Sequence, residues 1–164
     1  MAPNIVSIVG KSNSGKTTLL EKLIACLDGR GVAVGTVKHA HDGFEFDKKG
    51  KDSWRHQNAG ARATLVISDN RIVLVKNEPP PPLEAMIQYL QDMDLILVEG
   101  FKTAPINKIE IFRKDGPHEH PLGLNDGYLV AMVTDAALET RVPTFGLDDI
   151  EPLADFIEKK YLHA

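Results

Sequence analysis

Eight residues near the N-terminus have the types and spacing needed to bind a chain of phosphates. Residues 10–17 read GKSNSGKT and match G-x-x-x-x-G-K-[ST] at every fixed position. Gly10 and Gly15 leave room for backbone amides to surround a phosphate, and the Lys16 ammonium can reach the β- and γ-phosphates. The Thr17 hydroxyl can bind Mg²⁺. The pattern therefore predicts a nucleotide-binding loop, but it names neither the base nor the reaction.

The segments on either side of this loop match the elements that must position it. An apolar run at 5–9 predicts a buried strand before the loop, and leucines at helical spacing between Leu19 and Leu27 predict an amphipathic helix after it. The helix N-terminus adds partial positive charge at the phosphates. The residues expected to contact the phosphates are Gly10, Ser12, Asn13, Ser14, Gly15, Lys16, Thr17 and Thr18.

A second strand offers an acid for the metal ion. The stretch LILVEG places four apolar residues before Glu99 and a glycine after it. A buried strand that ends in a carboxylate is typical of the second motif of nucleotide sites. The usual residue there is aspartate, so direct binding and binding through a water both remain open for Glu99. The expected Mg²⁺ ligands are therefore Thr17 and Glu99.

Apolar runs alternate with helical patterns along the chain, which predicts an α/β fold and a single domain over residues 1–164. The runs ATLVIS and RIVLVK, joined by Asp69-Asn70, predict a hairpin. Asp52 or Ser53 is expected to cap a short helix that ends near Gly60. A further helix is expected over 83–93. The segment KIEIF, 108–112, alternates like a half-exposed strand with Lys108 and Glu110 outward.

Composition excludes several classes of protein. The chain has 164 residues and a net charge of −4, which argues against a general nucleic-acid binder. Its one cysteine, Cys26, cannot form an internal disulfide, so we expect a cytoplasmic protein. No stretch reaches the roughly 18 apolar residues of a membrane helix.

The residues alone leave several uses of the nucleotide open. The stretch NKIE at 107–110 resembles the guanine-reading N-K-x-D, but it starts a strand instead of following one, so we interpret it as a chance match. The arginines are scattered and form no lid of the kind a small-molecule kinase uses. GTP binding, a small-molecule kinase and an ATPase that drives a partner all remain candidates. His39, His41 and His56 have loose spacing and no cysteine beside them, so we expect no zinc site.

The middle of the chain resembles a known family. The stretch KHAHDGFEFDKKGKDSWRHQNAGA, followed by VEGFK and NKIEIFR, is similar to the MobB family of molybdopterin-guanine dinucleotide biosynthesis adaptor proteins. The resemblance covers essentially the whole chain. Two departures are visible: the loop after the lysine reads HAHDGFEFD, and KKG places Lys49 where the family has proline.

The resemblance implies a GTP-binding protein with the three-layer P-loop NTPase fold, in which helices flank a mostly parallel sheet. It further implies weak hydrolysis, a homodimer, and a molybdopterin guanylyltransferase as partner, with molybdopterin as a further candidate ligand. The family's middle motif falls on Asp47, Lys51, Asp52, Ser53 and Arg55. Asp47 is a further candidate for the Mg²⁺ site, and the other four are candidate contacts to the partner or the pterin. For guanine itself, the strand-end residues Thr134 and Asp135 are the candidates, because a carboxylate can accept the N1 and N2 protons.

Overall fold

Six parallel strands form the central sheet of the computed structural model, which describes residues 4–40 and 47–162. Along the chain the elements are β1 (Asn4–Val9), α1 (Lys16–Gly29), β2 (Val34–Lys38), α2 (Asp52–Asn58), β3 (Ala63–Ser68), β4 (Arg71–Lys76), α3 (Leu83–Ile87), β5 (Leu95–Glu99), β6 (Lys108–Phe112), β7 (Leu129–Thr134), β8 (Thr144–Phe145) and α4 (Ile150–Ile157). A 3₁₀ turn, Gln88–Leu90, follows α3, and a π-helical turn, Glu158–Leu162, follows α4.

The chain divides into two compact units. Residues 1–39 and 86–164 form one unit, which contains the six-stranded sheet. Residues 40–85 form the other, which contains α2 and the antiparallel hairpin β3–β4. The expectation that residues 1–164 form one domain stays a prediction.

The order of the strands brings the carboxyl ends of β1, β2 and β5 together at one edge of the sheet. The order is β2-β5-β1-β6-β7-β8, and every neighbouring pair is parallel. In this register Glu99 lies beside both Ile8 and Lys38. Because the carboxyl ends of parallel strands meet at one edge, the loop after β1 and the acid that ends β5 become neighbours.

Both faces of the sheet are covered, which confirms the predicted three-layer α/β fold. On one face α1 and α4 bury Leu23, Leu27 and Ile157 completely, and each such side chain contributes about 1.5–3 kcal/mol. On the other face the segment after α3 packs on β2, where a methyl group added at Gly35 would lie only 2.8 Å from Met93 Cγ.

The strand β6 differs from its expected half-exposed form. It lies between β1 and β7, and all five of its residues are buried. The prediction that Lys108 and Glu110 point outward is wrong: Lys108 is 4% exposed and Glu110 is 1% exposed. Lys108 donates to Asp126 over 2.7 Å, and Glu110 accepts from the amides of Leu122 and Gly123. Local partners thus replace water around both charges.

Two helices also differ from expectation. The residue that caps α2 is Lys51, and Asp52 is already its first helical residue. Within the part of the chain that the structure describes, the cap residue Lys51 makes no side-chain capping hydrogen bond. The helix expected over 83–93 ends at Ile87. None of the helices described is long and apolar enough to cross a bilayer.

Candidate nucleotide-binding site

The loop between β1 and α1 turns tightly over the end of β6. A methyl group added at Gly10 would lie 2.5 Å from Ser14 Oγ and 2.7 Å from the Ile111 carbonyl oxygen, so only glycine fits there. Gly15, with φ of 95°, and Asn13, with φ of 62°, hold left-handed conformations. Glycine adopts this conformation without strain, and asparagine tolerates it better than most residues. These residue types therefore explain the shape of the loop.

Lys16 folds back over the same loop. Its Nζ donates to the carbonyl oxygen of Lys11 over 2.8 Å. Burial lowers the pKa of the Lys16 ammonium, and the negative charge of Glu99 opposes that effect. A partly desolvated ammonium that donates to a neutral carbonyl gains from a phosphate, because a charged acceptor makes a stronger hydrogen bond.

The N-terminus of α1 has amides for an anion. The first amides of any helix have no partner inside the helix, and here the Leu19 amide is the first to donate to a carbonyl of the turn, that of Gly15. Thr17 and Thr18 are exposed at this end. Ser14 is 6% exposed, and among the described residues its hydroxyl has no hydrogen-bond partner.

Glu99 ends β5 on one side of this loop. Its side chain is 16% exposed, and Lys38 Nζ lies 3.5 Å from its carboxylate. The chain turns directly after it, since Gly100 and Phe101 have φ of 97° and 52°. The Ser7 hydroxyl donates to the Gly100 carbonyl oxygen over 2.5 Å, which holds this turn to β1.

These features fit phosphates and Mg²⁺. The amides at the start of α1 and the Ser14 hydroxyl, which has no partner among the described residues, suit a bound anion. Thr17 and Glu99 supply the hard oxygen ligands that Mg²⁺ prefers. Their roles as metal ligands stay a prediction.

A second loop, 113–121, contacts residues 10–17, which we call the phosphate loop, at Ser12. His118 Nε2 lies 3.0 Å from the Ser12 carbonyl oxygen. His118 lies in the stretch PHEHP, and no spacing rule connects it to Ser12, 106 positions earlier in the sequence. Only the neighbouring positions of β1 and β6 in the sheet bring the two loops together.

The residues expected to read guanine already bind backbone amides. The Thr134 hydroxyl accepts from the Ala136 amide over 3.0 Å. Asp135 Oδ1 accepts from the Lys114 amide over 2.8 Å. That either residue contacts guanine stays a prediction.

The residues of the middle motif belong to the unit formed by residues 40–85. Asp47 Oδ1 accepts from the Lys48 amide over 2.8 Å. Arg55 Nη1 lies 3.6 Å from Asp52 Oδ1, and the side chains of Arg55 and Asp52 are 70% and 88% exposed. Lys51 is exposed and Ser53 is partly buried. That Asp47 joins the metal site, and that the other four contact a partner, stay predictions.

Among residues 4–40 and 47–162, no three histidine, cysteine or acidic side chains come together as a metal cluster. His41, one of the three histidines weighed as zinc ligands, lies outside the described residues.

Comparison with known proteins decides the family. The sequence model of the family described as "Molybdopterin guanine dinucleotide synthesis protein B", MobB, matches residues 5–135. The chain belongs to the MobB family. The match includes the phosphate loop, Glu99 and the middle motif, so it confirms the resemblance inferred from the sequence.

Two MobB relatives carry the name molybdopterin-guanine dinucleotide biosynthesis adapter protein. The one from Haemophilus influenzae is 40% identical, over 97% of this chain and 89% of its own. The one from Escherichia coli is 39% identical, over 93% of this chain and 90% of its own.

Solved MobB structures have the same fold. The Bacillus subtilis protein is 27% identical and superposes with a TM-score of 0.76, covering 96% of this chain and 98% of that one. The homologue from Bacillus stearothermophilus is 28% identical and superposes with a TM-score of 0.70, covering 98% and 99%.

Proposed function

We propose that the protein binds GTP with Mg²⁺ and acts as an adapter for a molybdopterin guanylyltransferase in molybdopterin guanine dinucleotide synthesis. The observation that supports this most directly is a MobB match that runs through an intact phosphate loop and Glu99. The names of the relatives place them in this synthesis.

The loop binds the phosphates through its amides, and Lys16 exchanges the Lys11 carbonyl for a phosphate oxygen. Thr17 and Glu99 hold Mg²⁺, which when bound neutralises phosphate charge. Lys38, whose Nζ lies 3.5 Å from the Glu99 carboxylate, orients that carboxylate until the metal binds.

Hydrolysis of GTP by the protein alone is slow. Fast hydrolysis needs a residue that orients water and a cation that stabilises the transferring phosphoryl group. In the described part of the chain, the cavities beside the phosphate loop contain a cation, Arg113, but no glutamine to orient water. The protein therefore retains its bound nucleotide without hydrolysing it rapidly, as suits an adapter.

The middle motif supplies contacts to the partner or to molybdopterin. Lys48, Lys49, Lys51 and Arg55 are exposed basic residues within eight positions of one another. Exposed ammonium and guanidinium groups suit a phosphate of molybdopterin or an acidic surface.

A second copy of the chain covers one face of the hairpin. Leu65 pairs with Leu74 and Ile67 with Ile72, and the exposed fractions of these four side chains are 55%, 46%, 66% and 72%. A contiguous apolar face of this kind marks an interaction surface. In a two-fold dimer this face would meet the same face of the second copy, so apolar side chains would contact apolar side chains.

Nucleotide binding together with capture of the partner tests the proposal. Isothermal titration with GTP and ATP, in Mg²⁺, is expected to show GTP binding. The turnover of GTP is expected to stay near background. A purified molybdopterin guanylyltransferase is expected to retain the protein on a column, with a GTP-dependent change in retention. Rapid phosphoryl transfer to a pterin or nucleoside would overturn the adapter function in favour of a kinase.

The variant Lys16→Ala, compared with the wild type, tests the assignment of the phosphate site. It removes the ammonium from the phosphates, so GTP affinity should fall at least about 100-fold, as when a charged hydrogen-bond partner is lost. Its circular dichroism and melting temperature without nucleotide should equal those of the wild type, because in the described part of the chain the Lys16 ammonium donates to a loop carbonyl and not to a core group. An unchanged GTP titration would contradict the assignment of the site.

A further inference from the structure

A cavity of about 140 Å³ lies against the phosphate loop on the β6 side. Its walls come from the loop, from α1, from the end of β6 and from the segment before α4: Ser14, Gly15, Thr18, Leu19, Lys22, Ile111, Arg113, Leu147 and Asp148. Whole drug-sized ligands occupy roughly 300–1000 Å³, so this cavity suits part of a ligand.

The cavity lies on the opposite side of the loop from Glu99, the acid that we propose binds Mg²⁺. Glu99 ends β5 and Ile111 belongs to β6, and these strands flank β1 on opposite sides. A nucleotide whose phosphates lie in the loop, with Mg²⁺ near Glu99, therefore has the β6 side available for its nucleoside.

The lining matches a planar polar heterocycle. Leu19 and Ile111 are buried and Leu147 is partly buried, which supplies apolar surface for ring faces. Arg113 is exposed at the rim, and a guanidinium plane stacks well on aromatic rings.

One carboxylate at the rim is available for hydrogen bonding. Among the described residues, Asp148 forms its ion pair with Lys22, whose Nζ lies 2.7 Å from Asp148 Oδ1, and the side chains of Asp148 and Lys22 are 87% and 47% exposed. The Lys22 ammonium holds the pKa of Asp148 below its usual range, so the carboxylate is ionised at neutral pH. Its neighbour Asp149 is engaged differently, because its Oδ2 accepts from the Gly146 amide over 2.7 Å.

We propose that this cavity takes the purine base of the nucleotide and that Asp148 selects guanine by accepting its N1 and N2 protons, in exchange for Lys22. The inference rests on the proposed GTP binding and adds the residue that reads the base. Adenine presents no proton at N1 and no amino group at C2, so the same carboxylate disfavours ATP. The role goes to Asp148 instead of Asp135, which is bound to the Lys114 amide and is absent from the cavity lining.

Base preference in four full-length proteins tests this assignment. Wild type, Asp148→Asn, Asp135→Asn and Lys22→Ala are titrated with GTP, XTP, ATP and inorganic triphosphate. The asparagine amide can donate to the C2 oxygen of xanthine while its oxygen accepts from N1. We therefore expect Asp148→Asn to weaken GTP about 10-fold to 100-fold and to strengthen XTP, which reverses the GTP-to-XTP preference.

The other variants separate base reading from a structural ion pair. Lys22→Ala should bind GTP at least as tightly as the wild type, because the carboxylate loses its competing partner. Asp135→Asn should keep the wild-type preference. Inorganic triphosphate affinity should be equal in all four proteins, which shows that the phosphate loop is intact.

Two results would overturn the inference while leaving GTP binding in place. One is an unchanged GTP-to-XTP ratio in Asp148→Asn; the other is a reversal in Asp135→Asn. A wild type that binds neither GTP nor inorganic triphosphate would instead overturn the proposed function itself.

Discussion

At the scale of single residues, β6 buries the charged side chains of Lys108 and Glu110 against partners from a later loop. Those partners are Asp126 and the amides of Leu122 and Gly123. Alternation with period two says that Lys108 and Glu110 share a face, but neither whether that face meets water nor where the later loop passes. The phosphate loop, by contrast, follows a fixed pattern in which each position has one physical reason, so the sequence alone predicts it.

Asp126 should therefore make stability depend on pH. The hydrogen bond from Lys108, assisted by the Tyr128 amide, lowers the pKa of Asp126 in the folded state. A lowered folded-state pKa gives stability that is complete above the unfolded value of about 3.9 and is lost as pH falls through the folded value.

Asp126→Asn should therefore lower the free energy of unfolding by roughly 1–3 kcal/mol at pH 7. This is less than the ~3–5 kcal/mol lost when a fully buried ion pair is broken. The reason for the smaller cost is that Asp126 is 28% exposed. Urea unfolding at pH 7 and pH 3 measures it, and the difference from wild type should shrink at the lower pH. Asp115→Asn, at an exposed site, is the control. A pH-independent difference would contradict the role of this ion pair.

At the scale of elements, the hairpin was predicted to its end residues. Two alternating runs and the two-residue turn Asp69-Asn70 determine which residues pair, and β3 and β4 have the expected bounds. The start of α2 was less predictable, because Asp52 is as suitable for the first turn as for the cap, where the helix dipole also favours an acid.

The exposed face of the hairpin leads to a prediction on assembly. Ile72→Lys places a charge in the middle of the apolar face, which would be costly to bury in a dimer. Sedimentation velocity should show a monomer for this variant and a dimer for the wild type. Ser68→Lys, on the opposite face of the same ribbon, should remain dimeric. A dimeric Ile72→Lys protein at equal concentration would place the interface elsewhere.

At the scale of the whole molecule, the class of fold followed from the alternation of elements but the strand order did not. The insertion of β5 between β2 and β1 places a strand from residue 95 beside strands from the first 38 residues. Apolar runs show that strands are buried without showing which are neighbours. The stretch NEPPPP, residues 77–82, lies inside the compact unit of residues 40–85 and does not mark where that unit ends.

Ligand binding should stabilise the fold by mass action. GTP at 100 times its Kd, with Mg²⁺, should raise the free energy of unfolding by about 2.7 kcal/mol, because it binds the folded chain alone. Chemical denaturation with and without nucleotide measures this increase. Lys16→Ala, with an affinity at least about 100-fold weaker, should show at most about 0.4 kcal/mol at the same GTP concentration. An equal increase in both proteins would mean that GTP binds outside the phosphate loop.

The tight contact at Gly10 has a consequence for how this sequence can diverge. The space above its Cα is closed by the Ile111 carbonyl oxygen of the neighbouring strand, independently of any ligand. A descendant that lost its nucleotide through a change at Lys16 would still be selected for glycine at position 10 in order to fold. In distant descendants, the lysine would then record whether the ancestral activity survived, whereas the first glycine would persist after that activity had gone.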